Sequence, residues 1–454
     1  MCATPAVPKQ PQLLSFRCIR LRTALLLMFG MFCNLTLRTN LGVTVVCMVN
    51  STAVRKPTQA RNETYDDCPS ADGEQAEKNG YDGTLLWDSH LQGLMFSATS
   101  IGSYITLVPA GILADKFNAK RVAMTGLLIA GAATYALPYL AVTFAYGFLG
   151  FRFVIGMSLG IVIPPFASIA SRWFVPNERS TLHAIYTSGS QFAGIFLGLV
   201  SPHLCLFKEA GGWASVYHLC ASLAVLWTVL WLFFVSNYVD QSRSISEEEK
   251  VYIQSNTVVR KSQEYELFPW KAAFTSRPFL AILFVRSAAI VQQQTLQFYA
   301  SSFIRDVLRL DSPENGVLVA LPHVADLLPK IAFSILADEL KKKNITGYTS
   351  SVRIFQAISS IGSGVCFLCL VLVADCRHVL PAVVLLTLSG AFTALSSPGA
   401  HTSALSIAPA YTGTLHAIDM LAGFLAGSAF VYVTGIALQN VSTTLTTLNY
   451  LELI

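Results

Sequence analysis

Two ten-residue runs, GILADKFNAK at 111–120 and SILADELKKK at 334–343, repeat one phrase, with Asp115 and Asp338 223 positions apart in a chain of 454. Each run follows a long apolar stretch. A membrane chain that repeats itself at half length is built from two equivalent halves, and such pseudo-symmetry lets a transporter open to one side and then the other. Composition places the chain in a membrane: it is 53% hydrophobic and 13% charged, where soluble domains carry about 25% charged residues. A nucleic-acid binder would cluster its basic residues on one soluble face. Here Lys and Arg fall in short breaks between apolar runs, so no nucleic-acid partner is expected.

About 20 apolar residues cross a bilayer as a helix. Eleven spans are expected, near 24–49, 91–113, 122–140, 144–166, 182–204, 213–236, 276–299, 315–336, 351–374, 379–400 and 413–437. The fold class is an all-α polytopic membrane protein. Its plan is a cytoplasmic tail (1–23), a first helical half (24–237) with a large polar outer loop (50–90), a cytoplasmic linker (238–275), a second half (276–437) and a short polar tail (438–454). Ser246 is placed to cap a linker helix. With the N-terminus inside, the inner segments hold 19 Lys and Arg and the outer ones 8. The positive-inside rule therefore favours a cytoplasmic N-terminus.

Asn50 and Asn62 open sequons in the outer loop and are glycosylation candidates if that loop is lumenal or extracellular. The ten Cys are scattered, mostly in apolar segments. Cys366 and Cys369 have metal spacing but no second pair, so buried small hydrophobes are expected and no metal site.

The repeated phrase resembles the loop signature of the major facilitator superfamily: Gly111, Asp115, Lys116 and Arg121 fit it, and Asp338 stands at the matching place of the second half. The resemblance implies a conformational latch, in which the Asp pairs with basic groups across the cytoplasmic gate. The plainer reading is a positive-inside loop that caps helices. LRTNLGVTVVCMVNST (37–52), RWFVPNERS (172–180), GGWASVYH (211–218), ISEEEKVYI (245–253), ALPH (320–323) and SIAP (406–409) resemble its anion:cation symporter branch, solute carrier family seventeen. That branch holds type I sodium–phosphate cotransporters, sialin and vesicular glutamate transporters. Relatives that couple to protons carry helix-four glutamates and two His; here those places are Ile155, Leu159, Phe96 and Ala404. The pattern is closer to the sodium–phosphate group. The superfamily has twelve spans. The expected count of eleven leaves the last one missing, which reads as a truncated or alternatively spliced form.

Arg38, Arg152 and Arg286 fall inside spans, where a charge costs roughly 2.5–3.5 kcal/mol even on a lenient scale. Either they grip an anion through paired hydrogen bonds, or they pair with buried carboxylates. The resemblance agrees with the first. Gln293 and Gln297 suggest a hydrated pathway or helix–helix bonding. Asp326 and Lys330, four apart on one helix, form a structural pair or serve coupling and gating. Asp419 binds sodium, carries a proton or pairs with an Arg. His323 is a buried neutral ring or a proton relay. His183, His401 and His416 are read as interfacial.

These observations point to a secondary active transporter of inorganic or organic anions (phosphate or carboxylate class). It is expected to be coupled to a cation, to work by alternating access and to act as a monomer. It is expected in the plasma membrane or a vesicular or lysosomal membrane. No cofactor is expected beyond a coupling Na+ or H+. The alternatives are a non-transporting or regulatory protein that keeps the fold, or a truncated isoform. No phosphate loop, His-Glu-x-x-His run or nucleophile constellation suggests an enzyme.

Overall fold

The computed structural model describes residues 18–49, 83, 85–87, 89–207, 211–242, 244–257, 268–306, 308, 313–373 and 378–451. Asn50, Asn62 and most of the tail 1–23 lie outside them, and so does the side chain of Gln297.

In lipid every backbone polar group needs an internal partner, which apolar segments of this length meet only as helices. The first half holds α1 (Ile19–Met48), α2 (Ser89–Lys116), α3 (Ala119–Thr143), α4 (Ala145–Gly160), α5 (Ile163–Trp173), α6 (Arg179–Thr187), α7 (Gly189–Leu206) and α8 (Trp213–Phe234). The linker carries α9 (Glu247–Asn256) and α10 (Trp270–Thr275). The second half holds α11 (Arg277–Asp306), α12 (Pro313–Lys342), α13 (Tyr348–Val373), α14 (Val379–Ala394), α15 (Thr402–Ile407) and α16 (Thr412–Leu451). Nine stretches among the described residues are long and apolar enough to cross a membrane. The α6–α7 rod and α12 run through the same bundle. The α16 backbone stays helical through 438–451, the stretch read from sequence as a polar tail.

Three rods are interrupted. The α4–α5 break falls at Ile161 and Val162, just before Pro164 and Pro165, which lack the N–H that a continuous ladder needs. The α6–α7 rod bends at Ser188. Between α14 and α15 a wide turn at Ser397–His401 is kinked at Gly399. Asn118 caps α3 by accepting from the Arg121 N–H at 3.3 Å, and Ser246 caps α9 by accepting from the Glu249 N–H at 3.3 Å.

The first half has the larger core. Trp227 and Trp231 stack at 4.7 Å, and Phe166 packs against both. Each indole also satisfies its N–H: Trp227 donates to Leu26 O at 2.8 Å, Trp231 to Lys120 O at 3.0 Å and Trp173 to Ser236 O at 3.1 Å. Burial of a large apolar ring with its one donor paired fixes where α8 lies against α1 and α3.

Small residues let the helix backbones meet. A Cβ at Gly156 would lie 2.1 Å from Thr99 O, and one at Gly189 2.0 Å from Met28 O. Gly189→Val should therefore push α7 off α1. Overpacking costs about 1–3 kcal/mol where side chains can move, and here the obstacle is backbone. The expected result is loss of the monodisperse peak in fluorescence-detected gel filtration; a wild-type profile would contradict the packing described.

Candidate functional site

The halves meet along the faces of α2, α5, α6 and α7 on one side and α12, α15 and α16 on the other. At the linker end, each repeated Asp reaches into the opposite half. Asp115 accepts from Gly413 N–H at 3.0 Å, from Thr414 N–H at 2.8 Å and from the Thr414 hydroxyl at 2.7 Å. Ser168 supports it from within its own half at 3.0 Å. Asp338 accepts from Thr181 N–H at 2.7 Å, and Lys341 steadies both sides through Asp338 at 2.6 Å and Ser180 at 2.7 Å. Each carboxylate thus caps the N-terminus of a helix in the other half, where unpaired N–H groups and the helix dipole favour negative charge.

This corrects the expected latch chemistry. The hydrogen-bond partners of the two Asp across the halves are helix ends, with the Arg179 guanidinium of the first half adding charge near Asp338. Among the described residues Lys116 and Arg121 make no side-chain bond to the other half. Gly111 serves by size, because a Cβ there would sit 2.7 Å from Gly413 O.

A third acid ties the linker down. Glu249 of α9 accepts from Ile19 N–H at 3.2 Å, from Arg20 N–H at 3.2 Å and from the Arg20 guanidinium at 3.0 Å. Arg20 is fully buried, also pairs with Glu178, and lies 4.9 Å from the Tyr252 ring. Burial pushes the Glu249 carboxyl up, but hydrogen bonds from Cys18, Ile19 and Arg20 outweigh it and hold it below the usual carboxylate range. The sign follows: a depressed pKa stabilises above the unfolded value of about 4.3 and is lost as pH falls through the folded one. Proteolysis of the linker should therefore be slow and flat from about pH 5 to 8 and rise on stronger acidification. Glu249→Gln should make it fast at neutral pH; equal rates in the two proteins would count against the clasp.

Deeper in the interface, Arg286 of α11 faces Asp419 of α16, Nε to Oδ2 3.3 Å, and His416 faces the other oxygen at 3.5 Å. Arg286 is 5% exposed and Asp419 1%. Of the three roles left open for Asp419, pairing with an Arg is the one the geometry shows. Asp326 and Lys330 of α12 are joined through Gln191 of α7: the amide donates to Asp326 at 2.5 Å and accepts from Lys330 at 3.4 Å. The expected pair is thus a bridged one that crosses between the halves.

The three arginines do not converge. Arg38 of α1 lies 5.0 Å from the Phe424 ring of α16, and Tyr104 of α2 stacks on that ring at 5.8 Å and bonds Ser428 at 2.8 Å. Arg38 therefore reaches the second half, and among the described residues it has no carboxylate partner. Phe424 is five residues beyond Asp419, about 7.5 Å along the helix, so Arg38 and Arg286 bracket one stretch of α16 from different sides. Arg152 is elsewhere. It is 1% exposed, donates to Asn40 at 2.8 Å and Tyr217 at 3.5 Å, and packs against Phe148 inside the first half. Its reading as a third anion ligand does not match this placement.

Gln292 bonds Thr393 of α14 at 3.0 Å, which is helix–helix bonding, and Gln294 lies against Gly427 with its amide oxygen unpaired; Gln293 is exposed. His323 is partly buried one turn from Asp326. An apolar cavity of about 460 Å3 lies between α12, α13 and α14, lined by Phe333, Leu336, Phe355 and Phe392. Its lining offers an anion no charged side chain.

Three features escaped the sequence. His183 and His416, read as interfacial, are 2% and 6% exposed. The Gln191 bridge had no motif to announce it. Cys47, read as a small hydrophobe, is joined to Cys205 in a disulfide at the end of the bundle opposite the linker.

Comparison with known proteins gives a consistent result. The family model described as Major Facilitator Superfamily matches residues 27–431. A "Putative inorganic phosphate cotransporter" of Drosophila melanogaster is 30% identical, over 93% of this chain and 78% of its own. "Sialin" of Homo sapiens is 29% identical, over 87% and 78%. "Sodium-dependent phosphate transport protein 3" of Homo sapiens is 27% identical, over 97% and 99%. Among solved structures, a bacterial homologue of the iron transporter ferroportin in an outward-facing state aligns with TM-score 0.63 at 13% identity, covering 91% of this chain and 92% of that one. The E. coli fucose:proton symporter aligns with TM-score 0.60 at 13% identity, covering 92% of each chain. At such identity the likeness is one of fold.

Proposed function

The chain belongs to the Major Facilitator Superfamily, in its solute carrier family seventeen branch, and from that premise we propose that it carries small phosphate- or carboxylate-class anions across a membrane by alternating access, a cation moving with them. The observation that carries this reading is Arg38. A guanidinium that reaches from one half to the other, with no carboxylate partner among the described residues, is a site for an anion. A half-buried cation at membrane depth without a counter-charge is costly, and a bidentate carboxylate or phosphate relieves that cost. Arg286 offers a second, conditional grip, because Asp419 must yield before it can hold a ligand. The names of the phosphate transporters and sialin among the relatives support the same anion class.

Two caps of opposite direction, Asp115 on α16 and Asp338 on α6, are suited to release together when the linker end opens. The disulfide supports the orientation of the chain. Disulfides persist on the oxidising side of a membrane, and Cys47–Cys205 lies opposite the linker, which supports a cytosolic linker and N-terminus. Cysteine labelling checks this. The two thiols should take a maleimide only after reduction, and Cys47→Ser should expose Cys205 to reagent while costing about 2–4 kcal/mol of stability. Labelling of both without reductant would contradict it.

The function itself is tested by uptake of labelled inorganic phosphate and N-acetylneuraminate into proteoliposomes, with sodium and proton gradients imposed separately. Saturable uptake that Arg38→Ala removes is expected. Folded, inserted protein that moves neither probe would count against the reading.

A further inference from the structure

Three histidines that no transporter signature in the sequence accounts for surround the Arg286–Asp419 pair. His183 comes from α6 in the first half, His401 from the kinked turn before α15, and His416 from α16. The His183 and His401 rings are 6.0 Å apart, His183 packs edge-on to Tyr186 at 4.9 Å, and His416 meets Asp419 at 3.5 Å. Arg286 Nε and His416 Nδ1 each face an Asp419 oxygen, at 3.3 and 3.5 Å, while His183 Nδ1 is buried without a hydrogen bond. Native interiors rarely leave a buried ring nitrogen unpaired, and such a group needs an explanation.

Among the described residues, the charged and titratable groups that face the cluster can be named. They are His183 and Tyr186 on α6, Arg286 on α11, His323, Asp326 and Lys330 on α12, His401, and His416 and Asp419 on α16. Gln191 of α7 ties Lys330 to Asp326. Arg179, one turn below His183, is engaged by Phe174 O and Ser406, and Asp338 and Lys341 hold each other beneath it. With the rings neutral, Arg286 and Lys330 balance Asp419 and Asp326. One proton on any ring leaves one uncompensated positive charge in a dry interior, which is unfavourable. An arriving monoanion removes that excess. Proton and anion therefore favour each other's binding by charge alone.

The same inventory disfavours sodium. A hard cation prefers a shell of oxygen ligands. Here the rings offer nitrogen, the Asp419 oxygens face Arg286 and His416, and an Asp326 oxygen is taken by Gln191. Imidazole is the side chain that gains and loses a proton near neutrality.

Resting on the carrier reading above, we infer that His183, His401 and His416, closed over the Arg286–Asp419 pair, form a proton-binding site whose filling is matched to the arrival of the anion. Because His183 belongs to one half and the other two to the second, the site exists as a unit only while the linker end is closed. Opening it separates the rings and favours release of the proton with the anion.

Two measurements test this. The first needs no substrate: the full chain, labelled with 15N-histidine and held in nanodiscs, is titrated by NMR, with His183→Gln, His401→Gln and His416→Gln assigning the rings. At least one of the three should gain a proton above the pH at which the protein unfolds, and Asp419→Asn should move that transition to lower pH by about one unit. Rings that stay neutral throughout, or a transition that Asp419→Asn leaves in place, would overturn the site. The second is uptake of labelled phosphate and N-acetylneuraminate across a gradient of about two pH units, where one proton per anion supports about 100-fold accumulation. His416→Gln should reduce accumulation towards equilibration. Uptake that follows sodium and ignores the proton gradient would overturn the site and leave anion transport standing. Absence of any uptake would count against the carrier reading, while the titration still decides the site.

Discussion

Arg286→Ala should abolish anion uptake and also destabilise the protein, because it leaves Asp419 buried without its cation. Removing one partner of a buried ion pair costs about 3–5 kcal/mol, a large part of the stability of a typical domain. The loss of uptake alone would not separate a binding role from a structural one. The double variant Arg286→Met with Asp419→Leu does. It removes both charges, so much of the stability should return, as in other proteins where a buried pair was replaced by apolar residues of similar volume. Uptake should stay absent. Thermal melts in detergent and flux in proteoliposomes read the two effects independently. Recovery of flux in the double variant would show that Arg286 only served to neutralise Asp419.

The second large effect is expected at Asp115. Its carboxylate accepts four hydrogen bonds, three of them from the first turn of α16 in the other half. A hydrogen bond to a charged group contributes about 1.5–3 kcal/mol, and the orphan N–H groups of α16 regain water once the linker end opens. A net shift of about 2–3 kcal/mol is thus expected for Asp115→Ala, which moves the closed-to-open ratio by about 30- to 150-fold. Spin labels at the linker-side ends of α2 and α16 should show a new, longer distance. Asp338→Ala should act in the same direction through α6, and Asp115→Asn less strongly, because an amide oxygen still accepts. Unchanged distance distributions would mean that the caps do not hold the gate.

The two-half architecture was legible because it is written in residue order. Repeats, apolar lengths and the placing of Lys and Arg survive without any knowledge of contacts. Facing was much harder to read. The helix of Arg152 was clear, yet whether its guanidinium looks into the cavity or towards Asn40 and Tyr217 depends on how α4 is rotated. A nearly uniform apolar segment carries no polar stripe to show that rotation. The partners of Asp115 were hidden for a different reason: backbone N–H groups have no letter in the sequence. Cys47 and Cys205 are 158 residues apart, and only the packing of α1 beside α7 brings them together. Gln191, between Asp326 and Lys330, shows the same limit, since a bridge between halves is a property of their docking.

The central claim is that the halves carry an anion by exposing one site to each side in turn, and counterflow tests it most directly. Proteoliposomes loaded with unlabelled phosphate or N-acetylneuraminate are diluted into a trace of the labelled anion. A carrier of this kind should show a transient overshoot of label that Arg38→Ala removes. Entry that is indifferent to the anion inside, or no entry at all from folded and inserted protein, would contradict it.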